Sequence, residues 1–311
     1  MKFSGKSFAL MGAAGYVAPR HMEAIQQTGN RLVATYDPCD RMGIIDRYFP
    51  QADFFTDVES FSRHIRQLQS EQKSIDYFTI CTPNYLHDEH IRLALKHRAH
   101  VICEKPLVLQ AEALDRLIAL EKEAERKVNC ILQLRLHPLL QQVKKKIATG
   151  PQREIREVEL TYISPRGKWY HNSWKGSEQK SGGVATNIGI HFFDLLYWLF
   201  GKPEETIIHQ HTFDRAGGFF RFPSARVKWF VSVNGDFLHH KSSGRSLRID
   251  GEEYTFDQGF HDLHRSSYEE VLQGKGIGIE ETRTSIEMAQ LVRTLLPQPE
   301  LPGAHPFCLF P

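Results

Sequence analysis

A short apolar run that ends in a glycine-rich turn constrains the fold of this chain more than any other feature. Residues 8–11 form a run short enough for a buried strand, and Gly12 and Gly15 follow it. The next residues can begin a helix, and Pro19 is compatible with this because proline is tolerated in the first turn of a helix. Backbone N–H groups at such a helix start suit a pyrophosphate. The spacing Gly12-x-x-Gly15-x-x-Ala18 is one residue longer than G-x-G-x-x-G, and an ordinary strand–helix turn is the alternative interpretation.

An acidic residue follows the second predicted strand at the distance expected of a dinucleotide site. Asp37 ends the predicted strand 31–36 and lies 22 residues after Gly15, against roughly 20 in the dinucleotide fingerprint. A carboxylate there would accept hydrogen bonds from the adenosine ribose and repel a 2′-phosphate, which favours NAD over NADP. The alternative is a turn-forming Asp-Pro pair, since Pro38 follows directly.

The composition is that of an ordinary globular protein with room for two cores. The chain has 311 residues, of which 41% are hydrophobic and 24% charged. A net charge of +2 gives no indication of a nucleic-acid partner. No apolar segment has the length of a membrane span or the form of a signal peptide, and the five cysteines lack C-x-x-C spacing. We therefore expect no metal, no membrane partner and a cytoplasmic location.

Predicted strands and helices alternate through the first 136 residues. Such alternation indicates a doubly wound parallel sheet, so residues 1–136 are predicted to form an α/β Rossmann domain with ligands at the carboxyl ends of its strands. The predicted strands are 8–11, 31–36, 53–55, 75–81, 99–103 and 128–134. The predicted helices are 41–48, 58–69, 86–97 and 111–126.

The pattern changes after about residue 150, where half-exposed strands follow one another with few helices between them. The predicted strands are 155–163, 206–213, 224–233, 245–249 and 253–256. This pattern predicts an α+β domain over 137–296 with an open, mostly antiparallel sheet and a final helix over 280–296. Residues 297–311 contain five prolines and are expected to be an extended or disordered tail.

A lysine stands at the end of a predicted buried strand. Lys105 lies between Glu104 and Pro106, at the edge of the sheet where a nicotinamide would lie. An ammonium group there can hydrogen-bond a substrate hydroxyl and favour its alkoxide as hydride leaves. The alternative is a solvated lysine, which is the usual state of this residue.

A polar stripe interrupts the most apolar predicted helix. Asn187, His191 and Asp194 recur at i, i+4 and i+7, which places them on one helix face. Buried polar groups must be hydrogen-bonded or line a cavity. An imidazole there is suited to accept a proton near neutral pH. For His191 the alternative is a hydrogen-bonded core histidine.

Taken in order, these motifs resemble the signature set of the glucose-fructose oxidoreductase / inositol dehydrogenase (Gfo/Idh/MocA) superfamily. The resemblance extends to about residue 296. It rests on Gly12-x-x-Gly15-x-x-Ala18-x-x-His21, Thr82-Pro83-Asn84-x-x-His87, Glu104-Lys105-Pro106 and Gly183-x-x-x-Asn187-x-Gly189-x-His191-x-x-Asp194. Phrases such as CTPNYLH, ILQLRLH and SPRGKWY are most similar to a subgroup that oxidises the 3-hydroxyl of UDP-N-acetyl-D-glucosaminuronic acid. That reaction supplies sugars for bacterial surface polysaccharide, including O-antigen.

The resemblance implies NAD as cofactor and a set of site residues. Lys105 and His191 would be the catalytic pair, with His191 as the base and Lys105 as its rival. Many relatives carry Asp at position 187; since an amide cannot take a proton, Asn187 would position the substrate. The implied cofactor contacts are Gly12, Ala14, Gly15, Tyr16, Val17, Asp37, Thr82, Pro83, Asn84, His87, Glu104, Lys105 and Gln133. A homotetramer, and 2-oxoglutarate as an acceptor that recycles NADH in some relatives, are also implied.

A segment rich in basic and aromatic residues precedes the polar helix and suits a nucleotide sugar. Guanidinium and ammonium groups bind phosphates and carboxylates, and aromatic rings stack on bases. The predicted substrate contacts are Lys105, Arg166, Tyr170, Trp174, Asn187 and His191. A basic surface loop with core tryptophans is the alternative. Two other functions stay open: the same chemistry on another sugar or an inositol, and a non-enzymatic NAD-binding regulator.

Overall fold

The computed structural model describes residues 5–40, 43–150, 155–240, 244–256, 259, 262–298 and 303–309. The chain divides into two units. The first comprises Met1–Val108, Glu112–Leu132 and Asp262–Arg283, and the second comprises Leu109–Ala111, Gln133–His261 and Thr284–Pro311. Residues 262–283 thus group with the first unit, and the predicted domain boundary at residue 136 stays a prediction.

The first unit contains a six-stranded parallel sheet, which confirms the predicted doubly wound class. Its strands are β1 (Ser7–Met11), β2 (Arg31–Tyr36), β3 (Asp53–Phe55), β4 (Tyr77–Ile80), β5 (His100–Cys103) and β6 (Val128–Cys130). They lie in the order β3-β2-β1-β4-β5-β6, and every pairing is parallel. The direction of winding reverses between β1 and β4, and such folds bind ligands at the strand ends on that side. The predicted strand 128–134 is shorter than expected, because a 3₁₀ turn (Gln133–Leu136) follows it.

Helices cover this sheet wherever an apolar face recurs at helical spacing. They are α1 (Ala18–Gln27), α2 (Gly43–Tyr48), α3 (Val58–Ser70), α4 (His87–Lys96), α5 (Ala113–Ala124) and α10 (Leu263–Leu272), numbered in chain order. In α3, the Asp57 carboxylate accepts the Ser60 N–H as an N-cap, and Phe61 and Ile65 lie on the buried face of the helix. Among the described residues, no helix is both long and apolar enough to span a bilayer.

The second unit contains a six-stranded mixed sheet that is mostly antiparallel, as predicted. Its strands are β7 (Arg156–Ile163), β8 (Glu205–His211), β9 (Arg215–Phe222), β10 (Ala225–Ser232), β11 (Arg245–Ile249) and β12 (Glu252–Thr255), in the order β12-β11-β7-β10-β9-β8. Only the pairing of β7 with β10 is parallel among those described. The sequence missed β9, because Gly217 and Gly218 interrupt its apolar pattern.

One face of this sheet is covered by helices and holds the core of the second unit. The helices are α6 (Pro138–Thr149), α7 (Lys168–His171), α8 (Glu178–Ser181), α9 (Ile190–Phe200) and α11 (Ile279–Thr294), the last of which begins within the residues of the first unit. Phe193 of α9 meets Trp229 of β10 edge to face at 5.1 Å, and Phe220 of β9 stacks on Trp229 at 5.2 Å. Aromatic burial of this kind contributes strongly to core stability.

The described part of the C-terminal tail is ordered, so the predicted extended or disordered tail is wrong for residues 303–309. Pro306–Leu309 forms a 3₁₀ turn, and the side chains of His305 and Phe307 are buried. The His305 ring stacks on Phe230 at 5.6 Å, and its Nε2 lies 2.9 Å from Thr161 Oγ1. The error arose because proline content describes only local preference, whereas tertiary contacts with the sheet hold this segment.

Candidate active site

The glycine turn lies where two strand ends of the first unit approach each other. Gly12 follows β1 with φ +89°, a conformation that favours glycine, and its N–H donates to Tyr36 O at 2.8 Å. A Cβ at Gly12 would lie 2.7 Å from the carbonyl carbon of Cys81, after β4. Gly15 N–H then donates back to Gly12 O at 3.1 Å. The predicted strand, turn and helix are therefore present, and only a residue without a side chain fits at position 12.

The Asp37 carboxylate is bonded to the glycine turn and to its own turn. Oδ2 accepts the Ala14 N–H at 2.9 Å, and Oδ1 accepts the Cys39 N–H at 2.8 Å. The turn-forming interpretation of the Asp-Pro pair is thus correct, and the carboxylate also holds the glycine turn in place. Each carboxylate oxygen has a further lone pair, so a bond to ribose hydroxyls stays a prediction.

His87 connects the turns that follow β4 and β5. Its Nδ1 lies 2.6 Å from Pro106 O, and its Nε2 lies 2.8 Å from Thr82 O. The ring is fully buried, and burial lowers the pKa of His87. Since both ring nitrogens face backbone carbonyls, His87 is placed to hold Thr82 and Pro106, and its contact with the cofactor stays a prediction.

Glu104 and Lys105 follow β5, and the two residues have different surroundings. Lys105 is partly exposed and precedes a cis peptide bond to Pro106. Glu104 is 9% exposed, and its Oε1 accepts from His21 Nε2 at 3.0 Å and lies 3.3 Å from His264 Nε2. Burial alone would raise the pKa of Glu104, but the hydrogen bonds from the two imidazoles hold it well below the usual range.

Two buried residues of the cluster around Glu104 were not predicted from the sequence. His264 and Tyr268 lie on α10, which was not predicted, and both are buried. His21 was noted only as the last residue of the glycine motif. The available signal was the amphipathic repeat of Leu263, Ser267, Tyr268 and Val271, which together with His264 are the buried positions of this short helix. It does not indicate that His264 reaches a residue 160 positions earlier in the chain.

The polar helix of the second unit begins with a π-helical turn at Ala185–Gly189, which precedes α9. Asn187 lies in that turn and donates from Nδ2 to Tyr170 Oη at 2.9 Å, while His191 lies in α9. The predicted single face assumed regular α-helical spacing, which does not hold across a π turn. Such turns are frequent at functional sites. The structure thus brings two of the predicted substrate residues together.

Asp194, the third residue of the polar stripe, is taken up by a buried ion pair. Arg135 donates from Nη2 to Oδ1 at 2.6 Å and from Nε to Oδ2 at 2.8 Å. Ser285 Oγ donates to the same carboxylate at 2.8 Å. The bidentate geometry and full burial of Asp194 make it a structural anchor for α9.

The basic and aromatic segment presents most of its side chains to solvent. Arg166 and Lys168 are exposed, and Trp169 is 56% exposed, so it is not a core tryptophan. Trp174 is partly buried, with Lys175 Nζ 4.0 Å from its ring centroid. Tyr170 is buried, and burial raises its pKa, so the phenol stays protonated near neutral pH. Exposed cations and rings beside Tyr170 can take an anionic, partly aromatic ligand.

The remaining predicted residues are divided between the two units. Lys105 belongs to the first unit and His191 to the second, so their convergence on one carbon stays a prediction. Gln133 also belongs to the second unit, although the other predicted cofactor contacts lie in the first. Among the described residues, Gln133 Oε1 is buried without a hydrogen-bond partner, as expected of a group that a ligand satisfies.

Two family profiles match successive parts of the chain. Residues 6–131 match the GFO_IDH_MocA oxidoreductase family, NAD-binding Rossmann fold. Residues 144–253 match the C-terminal alpha/beta domain of the same oxidoreductase family. The two matches correspond to the two sheets.

Solved structures and curated proteins include similar chains. The WlbA (WbpB) dehydrogenase from Thermus thermophilus, in complex with NAD and UDP-GlcNAcA, is 43% identical over 97% of this chain and 100% of that chain, with a TM-score of 0.93. A second structure of the enzyme, with NAD and alpha-ketoglutarate, is 44% identical at the same coverage and TM-score. The putative oxidoreductase YteT from Bacillus subtilis is 27% identical over 54% of this chain and 40% of its own length. The chain spans about two fifths of the length of the first curated relatives it matches.

Proposed function

This chain belongs to the Gfo/Idh/MocA oxidoreductase family, and on that premise we propose that it is an NAD-dependent dehydrogenase of UDP-N-acetyl-D-glucosaminuronic acid. It would oxidise the sugar 3-hydroxyl to a ketone, in the synthesis of bacterial surface polysaccharide such as O-antigen. The observation that carries the proposal is the 43% identity, over 97% of this chain, to a dehydrogenase crystallised with NAD and UDP-GlcNAcA. The separate identification of the same motifs in the sequence supports it.

The first unit offers a cradle that fits NAD. A Cβ at Gly12 would meet backbone atoms at 2.7 Å, so only glycine lets the chain pass this close to the end of β4 on its way to the start of α1, where a pyrophosphate would lie. Ala14, Gly15, Tyr16 and Val17 complete the turn, and Asp37 beside it suits the ribose hydroxyls. Thr82, Pro83, Asn84, Glu104 and Lys105 follow the neighbouring strands β4 and β5. When bound there, the nicotinamide supplies the hydride acceptor.

The proton chemistry falls to residues of this chain. His191 would take the proton of the sugar 3-hydroxyl, and the Lys105 ammonium would stabilise the developing alkoxide. Asn187 is held by Tyr170 at 2.9 Å and would position the sugar. Arg166 and Trp174 lie in the basic and aromatic segment that would receive the diphosphate and the uracil.

The test is oxidation of UDP-N-acetylglucosaminuronate by the purified protein with NAD. We expect NADH absorbance at the rate of product formation, and borodeuteride trapping that places deuterium at C3. Lys105→Met and His191→Asn should each lower kcat by about 10²–10⁴-fold, the usual contribution of acid–base groups. Lys127→Met, whose side chain is 75% exposed, is the matched control and should keep the activity of the wild-type protein.

Other outcomes distinguish the alternatives. Deuterium at another carbon, or faster turnover of a different sugar or an inositol, would replace the proposed substrate. Binding of NAD with no turnover in that panel would favour a regulator.

We also propose that 2-oxoglutarate reoxidises the NADH, since one similar enzyme was crystallised with NAD and alpha-ketoglutarate. Loss of NADH absorbance on adding 2-oxoglutarate, with 2-hydroxyglutarate formed, would support this. The homotetramer and the cytoplasmic location stay predictions.

A further inference from the structure

Four segments of the first unit meet in a buried polar network beneath the β5 turn. His21 comes from α1, Thr79 from β4, Glu104 from the end of β5, and His264 and Tyr268 from α10. Tyr268 Oη lies 2.9 Å from His21 Nδ1 and 2.9 Å from Thr79 Oγ1. The His21 and His264 rings meet edge to face at 5.0 Å. A buried polar network of this extent is costly unless every member is satisfied.

The hydrogen bonds of the network have one consistent direction. An ionised Glu104 can only accept, so His21 Nε2–H and His264 Nε2–H both donate to its Oε1. Burial lowers the pKa of His21, so the ring is neutral and its Nδ1 accepts from Tyr268. Burial also raises the pKa of Tyr268 well above its usual value, so the phenol keeps its proton and donates it. Thr79 Oγ1 then donates to Tyr268 Oη, so each of the four hydrogen bonds has one donor and one acceptor.

The network ends at Lys105, the proposed catalytic lysine. The second carboxylate oxygen of Glu104, Oε2, accepts the backbone N–H of Lys105 at 3.3 Å. Both imidazoles are on Oε1, so they fix the carboxylate plane and thereby the position of Oε2. The orientation of the Lys105 peptide therefore depends on donors that come from two helices.

His21, Glu104 and His264 also have the residue types of a metal site. Their potential ligand atoms all lie within 4.8 Å of one another. Hydrogen bonding explains their spacing better. Both Nε2 atoms face the same oxygen at 3.0 and 3.3 Å, which are lengths of N–H···O bonds. The other nitrogen of His21 is already engaged by Tyr268.

We propose that His264 and His21 are positioning residues for Lys105: they hold Glu104 so that its Oε2 fixes the main chain of the proposed catalytic lysine. The proposal rests on the proposed function only in giving Lys105 a catalytic role. It assigns to α10, which follows the second sheet in sequence, a part in the site of the first unit. Tyr268 supports His21 in the same way, one hydrogen bond further from the lysine.

The test compares His264→Leu with His264→Gln in the full-length protein. Glutamine retains an N–H donor near the place of the imidazole Nε2, whereas leucine fills the space without a donor. We expect His264→Leu to lower kcat by about 10- to 100-fold, the scale of a small misplacement of a catalytic group. His264→Gln should recover most of that loss. Tyr268→Phe keeps the ring contact with Phe8 and serves as a second variant, with a smaller loss of kcat.

A readout independent of the substrate separates this proposal from the proposed function. The rate at which acetic anhydride modifies Lys105, followed by peptide mass spectrometry with Lys127 as the internal reference, should rise at least about threefold in His264→Leu through local loosening. It should stay at the wild-type rate in His264→Gln. If no sugar is turned over but this pattern appears, the positioning role stands and the proposed function falls.

Three results would overturn the positioning role. The first is a wild-type kcat and Lys105 modification rate in His264→Leu. The second is an equal loss in the leucine and glutamine variants that follows their melting temperatures, which indicates a purely structural role. The third is one equivalent of tightly bound metal per chain in the purified wild-type protein.

Discussion

At the scale of single residues, the site depends on a few positions where the backbone leaves no alternative. Gly12 is the sharpest case, because β1 and β4 are neighbours in the sheet and their carboxyl ends converge on its Cα. Asp37 then binds the turn through Ala14 N–H, so the turn is held from both sides. A substitution at Gly12 or Asp37 would therefore alter the conformation of the turn, and would affect ligand binding through that change.

We predict that Gly12→Ala abolishes measurable NAD binding and destabilises the first unit. The new methyl group would lie 2.7 Å from Cys81 C and Thr82 N at a φ of +89°. Strain of this kind costs on the order of 1–3 kcal/mol. Isothermal titration with NAD and urea denaturation would measure both effects.

Gly5→Ala is the matched control, since Gly5 also has positive φ (+105°) but no atom within 4 Å of a new Cβ. It should lose some stability through backbone strain and keep its affinity for NAD. Equal NAD affinity in Gly12→Ala and the wild-type protein would contradict the role given to the turn.

At the scale of elements, the mixed sheet has a face that the C-terminal segment partly covers. Phe307 and His305 lie over Phe230 of β10, and Phe237 packs against the same ring at 5.0 Å. Cys308 lies over Gly217 of β9, where a Cβ would overlap its sulfur. The glycine that hid β9 from the sequence analysis is therefore what allows the tail to approach the sheet.

Phe307→Ala should destabilise the second unit by about 3 kcal/mol, the lower part of the range for buried phenylalanine. Phe307 is 4% exposed and belongs to a cluster with Ile163, Phe230 and Phe237. Leu309→Ala, in the same 3₁₀ turn but 72% exposed, is the control and should leave stability nearly unchanged. Thermal and urea denaturation of both variants would test this, and identical curves for the two would refute an anchoring role of the tail.

At the scale of the whole molecule, buried histidines link stability to pH. Burial, with help from the charges of Arg66 and Lys96, lowers the pKa of His97 from 6.5 to about 4. The unfolded chain therefore takes up a proton before the folded chain does as pH falls. The stability owed to a neutral His97 is complete above pH 6.5, declines between pH 6.5 and about 4, and levels off below that.

We predict that His97→Gln loses less stability than the wild-type protein between pH 7.5 and 4.5. Glutamine does not titrate and keeps a polar group near Ser62 Oγ, which lies 2.9 Å from the imidazole Nε2. After allowance for solvent screening, the difference should be about 1–2 kcal/mol. Urea denaturation at both pH values measures it, and parallel losses in the two proteins would show that His97 does not carry this dependence.

The sequence alone determined those features of the protein that follow from interactions between residues close together in the chain. The doubly wound sheet, the glycine turn and the mostly antiparallel second sheet follow from apolar periodicity and turn chemistry, which act over a few positions. The same local reasoning found Lys105, Asn187 and His191 as candidate residues. It failed where local preference and final structure disagree, in the proline-rich tail and in glycine-bearing β9.

Only the tertiary structure decided which distant groups meet. Glu104 and His264 are 160 positions apart, Arg135 and Asp194 are 59 apart, and His305 and Thr161 are 144 apart. No periodicity links such pairs, because they are joined when a buried charge or polar group must find a partner after the core has formed. The sequence thus determined the elements and the chemical groups, and the requirement to satisfy buried polar groups decided how those groups are held.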